Sequence, residues 1–166
     1  MSSTNNGKRF EQNFKDSVPS DVFCYRFKDG TANFRGTKNE NVRFQAYNIC
    51  DYLLYNGKNL YLLELKAHKG KSLPLNCIRK NQKEELAKAT FYKGIKAGIL
   101  VYFIDVQEVY YLSIDKLDYF LCTESRKSIP LSFFKEEGKR IPSIKKEVNI
   151  SLNLNSLLNL YLTTNQ

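Results

Sequence analysis

A chain of 166 residues suits one domain and is long enough to bury a real hydrophobic core. Its 26 basic and 17 acidic side chains leave a net charge of +9, which favours a polyanionic partner over mere solubility. No stretch approaches the roughly 20 apolar residues of a helical membrane span, so a membrane-embedded role is excluded on that count.

Residues 1–6 are polar, lack an apolar signal region and are expected to be disordered. Residues 7–17 fit a short helix with Phe10 and Phe14 on one face, ended by Pro19. Val22 to Phe27 reads as a strand. Residues 28–45 are polar and punctuated by glycine, which suggests a loop or a reduced projecting stalk. Phe44 to Tyr55 and Leu60 to Ala67 read as two strands of a hairpin. A helix is expected from about Ile78 to Lys93. Ile99 to Ile104 is a buried strand that pairs with Val109 to Leu112 across the Asp105–Glu108 turn. Ile114 to Cys122 fits a helix capped by Ser113. The leucines between 152 and 162 fit a helix or a strand equally well. No internal repeats and no linker are evident. The order α-β-β-β-α-β-β-α is that of a single α/β domain with a sheet and flanking helices.

The hairpin carries the chemistry. Asp51, Glu64 and Lys66 are charged residues set into apolar strands, and charge there costs free energy unless it is exposed, paired or bound to a metal. A turn symmetric about Gly57 and Lys58 makes Asp51 and Glu64 cross-strand partners. They then share a face with Lys66, two residues beyond Glu64. Cys50 is expected to point to the other face. Two carboxylates brought together repel, and a cation relieves that repulsion. Mg²⁺ suits such oxygen ligands, with Mn²⁺ as a substitute. On spacing alone, a solvent-facing ion cluster explains the three charges at least as well, since such pairs are common and nearly neutral.

Other chemistries find less support. Cys24, Cys50, Cys77 and Cys122 are scattered without zinc-ligand spacing, and His68 is the single histidine. The cysteines read as reduced thiols of a cytoplasmic protein. There is no glycine-rich phosphate loop and no serine or cysteine nucleophile arrangement. Tyr25, Tyr47, Tyr52 and Tyr55 read as packing residues rather than base-stacking ones. Lys139, Arg140, Lys145 and Lys146 form a basic cluster that suits either a DNA-binding arm or a solubilising loop.

Asp51 followed by Glu64-Leu65-Lys66 resembles the core of the PD-(D/E)xK nuclease superfamily. The run from His68 to Gln82, with Lys71-Ser72-Leu73-Pro74-Leu75, Ile78 and Gln82, resembles RecU-type Holliday junction resolvases. So do Gly7-Lys8-Arg9-Phe10-Glu11 and Lys127-Ser128-Ile129-Pro130-Leu131. The likeness spans roughly residues 7 to 145. It implies a restriction-endonuclease-like fold, a central mixed β-sheet flanked by helices, assembled as a homodimer. It also implies a Mg²⁺-dependent endonuclease that resolves four-way junctions by paired, symmetric nicks in recombination and repair.

Carried over by position, Asp51 and Glu64 are implied metal ligands and Lys66 the catalytic lysine. Glu11 is an added acidic group near the metal, and Gln82 a supporting or DNA-contacting side chain. Lys69, Lys71, Ser72, Arg79, Lys80 and Lys83 follow the site and are expected to contact the DNA backbone. The implied partners are branched DNA, a second copy of the chain and recombination proteins of the host. The chain departs from the family at Asn48-Ile49-Cys50 and in the short segment 28–45. It is similar to a compact, phage-encoded form. A nuclease for flaps, forks or unpaired DNA, and a non-catalytic DNA-binding recombination accessory, are the rival readings.

Overall fold

A computed structural model describes residues 3–27, 48–145 and 149–159. The expected stalk at 28–45, Phe44 to Tyr47 of the expected strand, Lys146 and the last leucines lie outside the described residues.

Helix α1 spans Ser3–Asp16, so residues 3–6, expected to be disordered, instead form its first turn. Phe10 and Phe14 are fully buried on its inner face, and Phe14 meets Tyr52 edge to face with ring centroids 4.8 Å apart. Six strands form one mixed sheet in the order β1-β2-β3-β5-β6-β8. They are β1 (Phe23–Arg26), β2 (Tyr52–Tyr55), β3 (Leu60–His68), β5 (Ile95–Phe103), β6 (Glu108–Ser113) and β8 (Lys139–Ile141). Only β3 and β5 run parallel; every other neighbouring pair is antiparallel. Antiparallel neighbours need only a tight turn, whereas the parallel pair needs a crossover. That crossover contains β4 (Ser72–Pro74), a 3₁₀ turn at Leu75–Cys77 and helix α2 (Lys80–Thr90).

Alternation along the strands builds two hydrophobic layers. Tyr52, Leu54, Tyr61, Leu63 and Leu65 face α1, together with Leu152 of β10 (Ile150–Leu152) and Leu157 of the short α5 (Asn155–Leu158). Strand β10 pairs with β9 (Ser143–Lys145). The Ser17 hydroxyl ties this layer together. It donates to Asn13 O at 2.7 Å and accepts the Leu152 N–H at 2.9 Å. On the opposite face Leu62, Ile99, Val101 and Leu112 pack with Leu86 of α2, with Leu117 and Phe120 of α3 (Ile114–Thr123), and with Phe134 of α4 (Leu131–Glu137). Strands β5 and β6 are covered on both sides, which explains their nearly unbroken apolar runs.

The sequence-based elements before residue 125 reappear with shifted ends. The Ser113 hydroxyl accepts the Lys116 N–H, as a cap for α3 should. The final leucines divide between β10 and α5. One expectation fails outright. Lys71-Ser72-Leu73-Pro74-Leu75 and Lys127-Ser128-Ile129-Pro130-Leu131 are a short internal repeat, and the two copies pair antiparallel as β4 and β7 (Ser128–Pro130). The pairing has local two-fold symmetry. Leu75 N–H donates to Lys127 O at 3.0 Å, and Leu131 N–H donates to Lys71 O at 2.8 Å. A five-residue motif falls below the length at which repeats usually show.

Gly98 lets the Tyr111 ring close over β5. A Cβ there would lie 2.5 Å from both Leu112 O and the Tyr111 ring. Overpacking of this kind costs about 1–3 kcal/mol. Gly98→Ala should therefore lower the midpoint of urea unfolding by a matching amount, and an unchanged midpoint would refute the close contact.

Candidate active site

The β2–β3 register is Tyr52↔Leu63 through Tyr55↔Leu60. Continued by one residue it sets Asp51 opposite Glu64, as the symmetric turn predicts. The backbone holds Asp51 just ahead of β2. Its N–H donates to Leu63 O at 3.1 Å, and its carbonyl accepts the Phe27 N–H at 2.9 Å. Its carboxylate Oδ2 accepts the Leu65 N–H at 2.7 Å. The side chain is thereby aimed along the face that carries Glu64.

Glu64 is only 3% exposed, one of three buried polar residues among those described. Both carboxylate oxygens are engaged. Lys66 Nζ donates to Oε1 at 2.5 Å and Gln82 Nε2 to Oε2 at 2.6 Å. Burial, then the neighbouring Asp51 carboxylate, pushes the Glu64 carboxyl up from 4.5 to about 7 against the downward pull of Lys66. A surface ion cluster would not bury its central carboxylate, so that simpler account does not describe this site.

Gln82 reaches the site because of the crossover. Leu73 on β4 is buried in the second layer, β4 is pinned to β7, and Pro74 and the 3₁₀ turn redirect the chain into α2. Gln82 lies in the first turn of that helix and faces Glu64. Asn48, Ile49, Arg79, Lys80, Asn81, Gln82 and Glu85 line an open cleft of about 480 Å³ beside it. Asn48 and Ile49, noted in the sequence only as a departure from the family, were not expected at the site. They line the cleft because the chain bends there before β2.

Two expectations are corrected, and one basic residue has a partner the sequence did not show. Glu11 does not join the pair. Its carboxylate binds Arg26 at 2.8 Å, and its carbonyl lies 3.5 Å from the Tyr52 hydroxyl, on the α1 side of the sheet. Cys50 does not point away from the carboxylates. It packs in the same layer as Leu62, because the bend ahead of β2 breaks strand alternation. Burial, together with Glu64 and Asp51 nearby, pushes its thiol up to about 12, which suits packing rather than nucleophilic chemistry. Lys83 is committed to Asp118 of α3 at 3.0 Å and so joins two helices.

Lys69, Lys71, Arg79 and Lys80 are exposed around the site, and Ser72 is half-buried on β4. The Gly70 N–H donates to Asp105 Oδ2 at 2.7 Å and orders the basic loop. Lys139, Arg140 and Lys145 belong to β8 and β9 rather than to an arm, and Arg140 pairs with Glu108 at 3.4 Å.

Asp51 and the buried Glu64, whose proton affinity is raised, form an oxygen-rich donor pair whose mutual repulsion a hard divalent cation would relieve. Among the described residues, no group of three or more His, Cys, Asp or Glu side chains is arranged to hold a metal ion. The rest of a coordination shell would fall to water and substrate, as Mg²⁺ commonly accepts.

The chain is similar to known proteins in sequence and in fold. The sequence matches the family described as RecU: Recombination protein U over residues 24–159. The SPbeta prophage-derived uncharacterized protein YotM of Bacillus subtilis (strain 168) is 31% identical over 175 residues, covering 95% of this chain and 87% of the relative. The fold resembles that of Archaeoglobus fulgidus Hjc, a Holliday junction resolvase from an archaeal hyperthermophile. The TM-score is 0.54 at 16% identity, with 81% of this chain and 95% of the other covered.

The raised Glu64 carboxyl makes stability depend on pH. Between 4.5 and about 7 the folded protein keeps a proton that the unfolded chain releases. The stability carried by neutral Glu64 is complete below 4.5 and is lost as pH rises to about 7. In urea titrations without divalent cations, wild type should therefore weaken across that window relative to Glu64→Gln. A parallel response of both proteins would assign the effect to another group.

Proposed function

This chain belongs to the RecU (Recombination protein U) family, and we propose that it is a Mg²⁺-dependent endonuclease acting on four-way DNA junctions as a homodimer. The observation that carries the reading is the buried Glu64 carboxylate beside Asp51, bound by both Lys66 and Gln82. A purely structural site gains little from such a costly arrangement. The fold likeness to an archaeal Holliday junction resolvase supports the choice of substrate, and the prophage-derived relative supports a phage origin.

Asp51 and Glu64 are the residues that would hold the cation, which when bound supplies Lewis acidity and lowers the pKa of a coordinated water. Lys66 places an ammonium beside the site, where it offsets negative charge developing on the scissile phosphodiester. Gln82 positions the Glu64 carboxylate through Oε2. The exposed Lys69, Lys71, Arg79 and Lys80 attract the DNA backbone without reading its sequence. Two such sites about a two-fold axis would nick two strands of like polarity.

Cleavage of a synthetic four-way junction with Mg²⁺ tests this reading. Asp51→Asn and Lys66→Ala should each cut at least about 100-fold more slowly than wild type, with junction binding little changed. Equal rates in wild type and Asp51→Asn would overturn the assignment. Competition with forked and plain duplex DNA should leave junction cleavage preferred.

A further inference from the structure

The face of the sheet that carries Asp51 and Glu64 continues onto β1 and β2, where, among the described residues, no helix or strand packs over it. Three aromatic side chains stand on it. Phe23 is 59% exposed, Tyr25 48% and Tyr55 44%. Register aligns them with the carboxylates. Phe27 lies beside Asp51 and Glu64, Tyr25 is in the row of Leu53 and Leu62, and Phe23 is in the row of Tyr55 and Leu60. Successive rows on one face are roughly 7 Å apart, twice the rise per strand residue. The rings therefore begin with Tyr25 about one row from the carboxylates, and Phe23 and Tyr55 stand side by side one row further out. Tyr25 is braced edge to face on Phe27, with centroids 5.3 Å apart at 84°. The Tyr55 hydroxyl donates to Gly57 O at 2.9 Å. The tyrosine rings are thus held rather than loose.

We propose that Phe23, Tyr25 and Tyr55 form a stacking platform for unpaired nucleobases of the strand being cut. The proposal rests on the nuclease reading above and adds a binding surface to it. Several observations favour bases as the occupant. The platform is continuous with the proposed site and belongs to a chain of net charge +9 that attracts polyanions. It is aromatic rather than aliphatic, and every base offers a π face to such rings. Bases within a duplex rise about 3.4 Å per step. Rings one row apart match bases drawn out of that stack, as at a branch point, better than bases within it. The arrangement predicts a preference for unpaired nucleotides next to the cut.

The test uses the full chain with Ca²⁺ replacing Mg²⁺ to hold turnover. The probes are an unpaired oligonucleotide containing 2-aminopurine and a duplex of the same length. The triple variant Phe23→Thr, Tyr25→Thr, Tyr55→Thr keeps strand-forming side chains on the edge. It should bind the unpaired probe at least about tenfold more weakly and lose the fluorescence quenching that marks stacking, while duplex affinity changes less than about twofold. Tyr25→Phe with Tyr55→Phe, which keeps the rings, should behave like wild type. Retained quenching in the triple variant, or equal weakening for both probes, would overturn the platform. A shift of the triple variant from dimer to monomer in sedimentation would overturn it too, in favour of a second copy seated on this face. A wild type that binds neither probe would instead remove the nuclease reading itself.

Discussion

A carboxylate buried on the face of a hydrophobic sheet governs much of this structure. Glu64 can sit at the centre of β3 only because Lys66 and Gln82 occupy its two oxygens and because it accepts a proton more readily than an exposed glutamate. Each condition comes from a different part of the chain. Lys66 shares the strand and Gln82 comes with the crossover helix. The raised proton affinity comes first from burial in the sheet and then from a hairpin register that brings Asp51 alongside. A slip of one residue in that register would turn Asp51 to the α1 face and dismantle the site.

The two layers of the fold support the site in different ways. On one side α1, β10 and α5 cover the sheet with aromatic and leucine side chains. On the other, α2, α3 and α4 cover β5 and β6, and among the described residues Phe23, Tyr25 and Tyr55 at the β1–β2 end stay exposed. The site lies where that covered half meets the open half. Glu64 is therefore dry enough for its charge to matter, while Lys66 and the cleft beside Gln82 still meet solvent. Electrostatic interactions at such a border are stronger than at an open surface, yet a polymer can still reach them.

Much of this was legible in the sequence, for physical reasons. A short polar turn between two apolar runs determines its own register, so the opposition of Asp51 and Glu64 followed from parity about Gly57 and Lys58. The burial of β5 followed from its composition. What stayed hidden depended on geometry that alternation does not encode. The bend before β2 turns Cys50 toward the carboxylates. Glu11 finds Arg26 because α1 packs on the opposite face, and a helical position alone does not say which side of a sheet its helix will cover. Lys83 meets Asp118 only once α2 and α3 lie side by side. Three-residue strands such as β4 and β7 leave almost no periodic signal, even though here they are two copies of one motif.

The pairing of those two copies has a consequence for how the molecule comes into being. The β2–β3 hairpin is local and can close as soon as Leu65 is available. The segment that carries Gln82 is anchored by β4, whose partner β7 arrives only after α2, β5, β6 and α3. Closing so long a loop is entropically costly and slow compared with hairpin closure. During synthesis, Asp51 and Glu64 can therefore meet well before Gln82 is anchored above them. The nascent chain passes through a stage in which buried Glu64 and its cover Gln82 are both made, while the strand that anchors that cover, β7, is still to come.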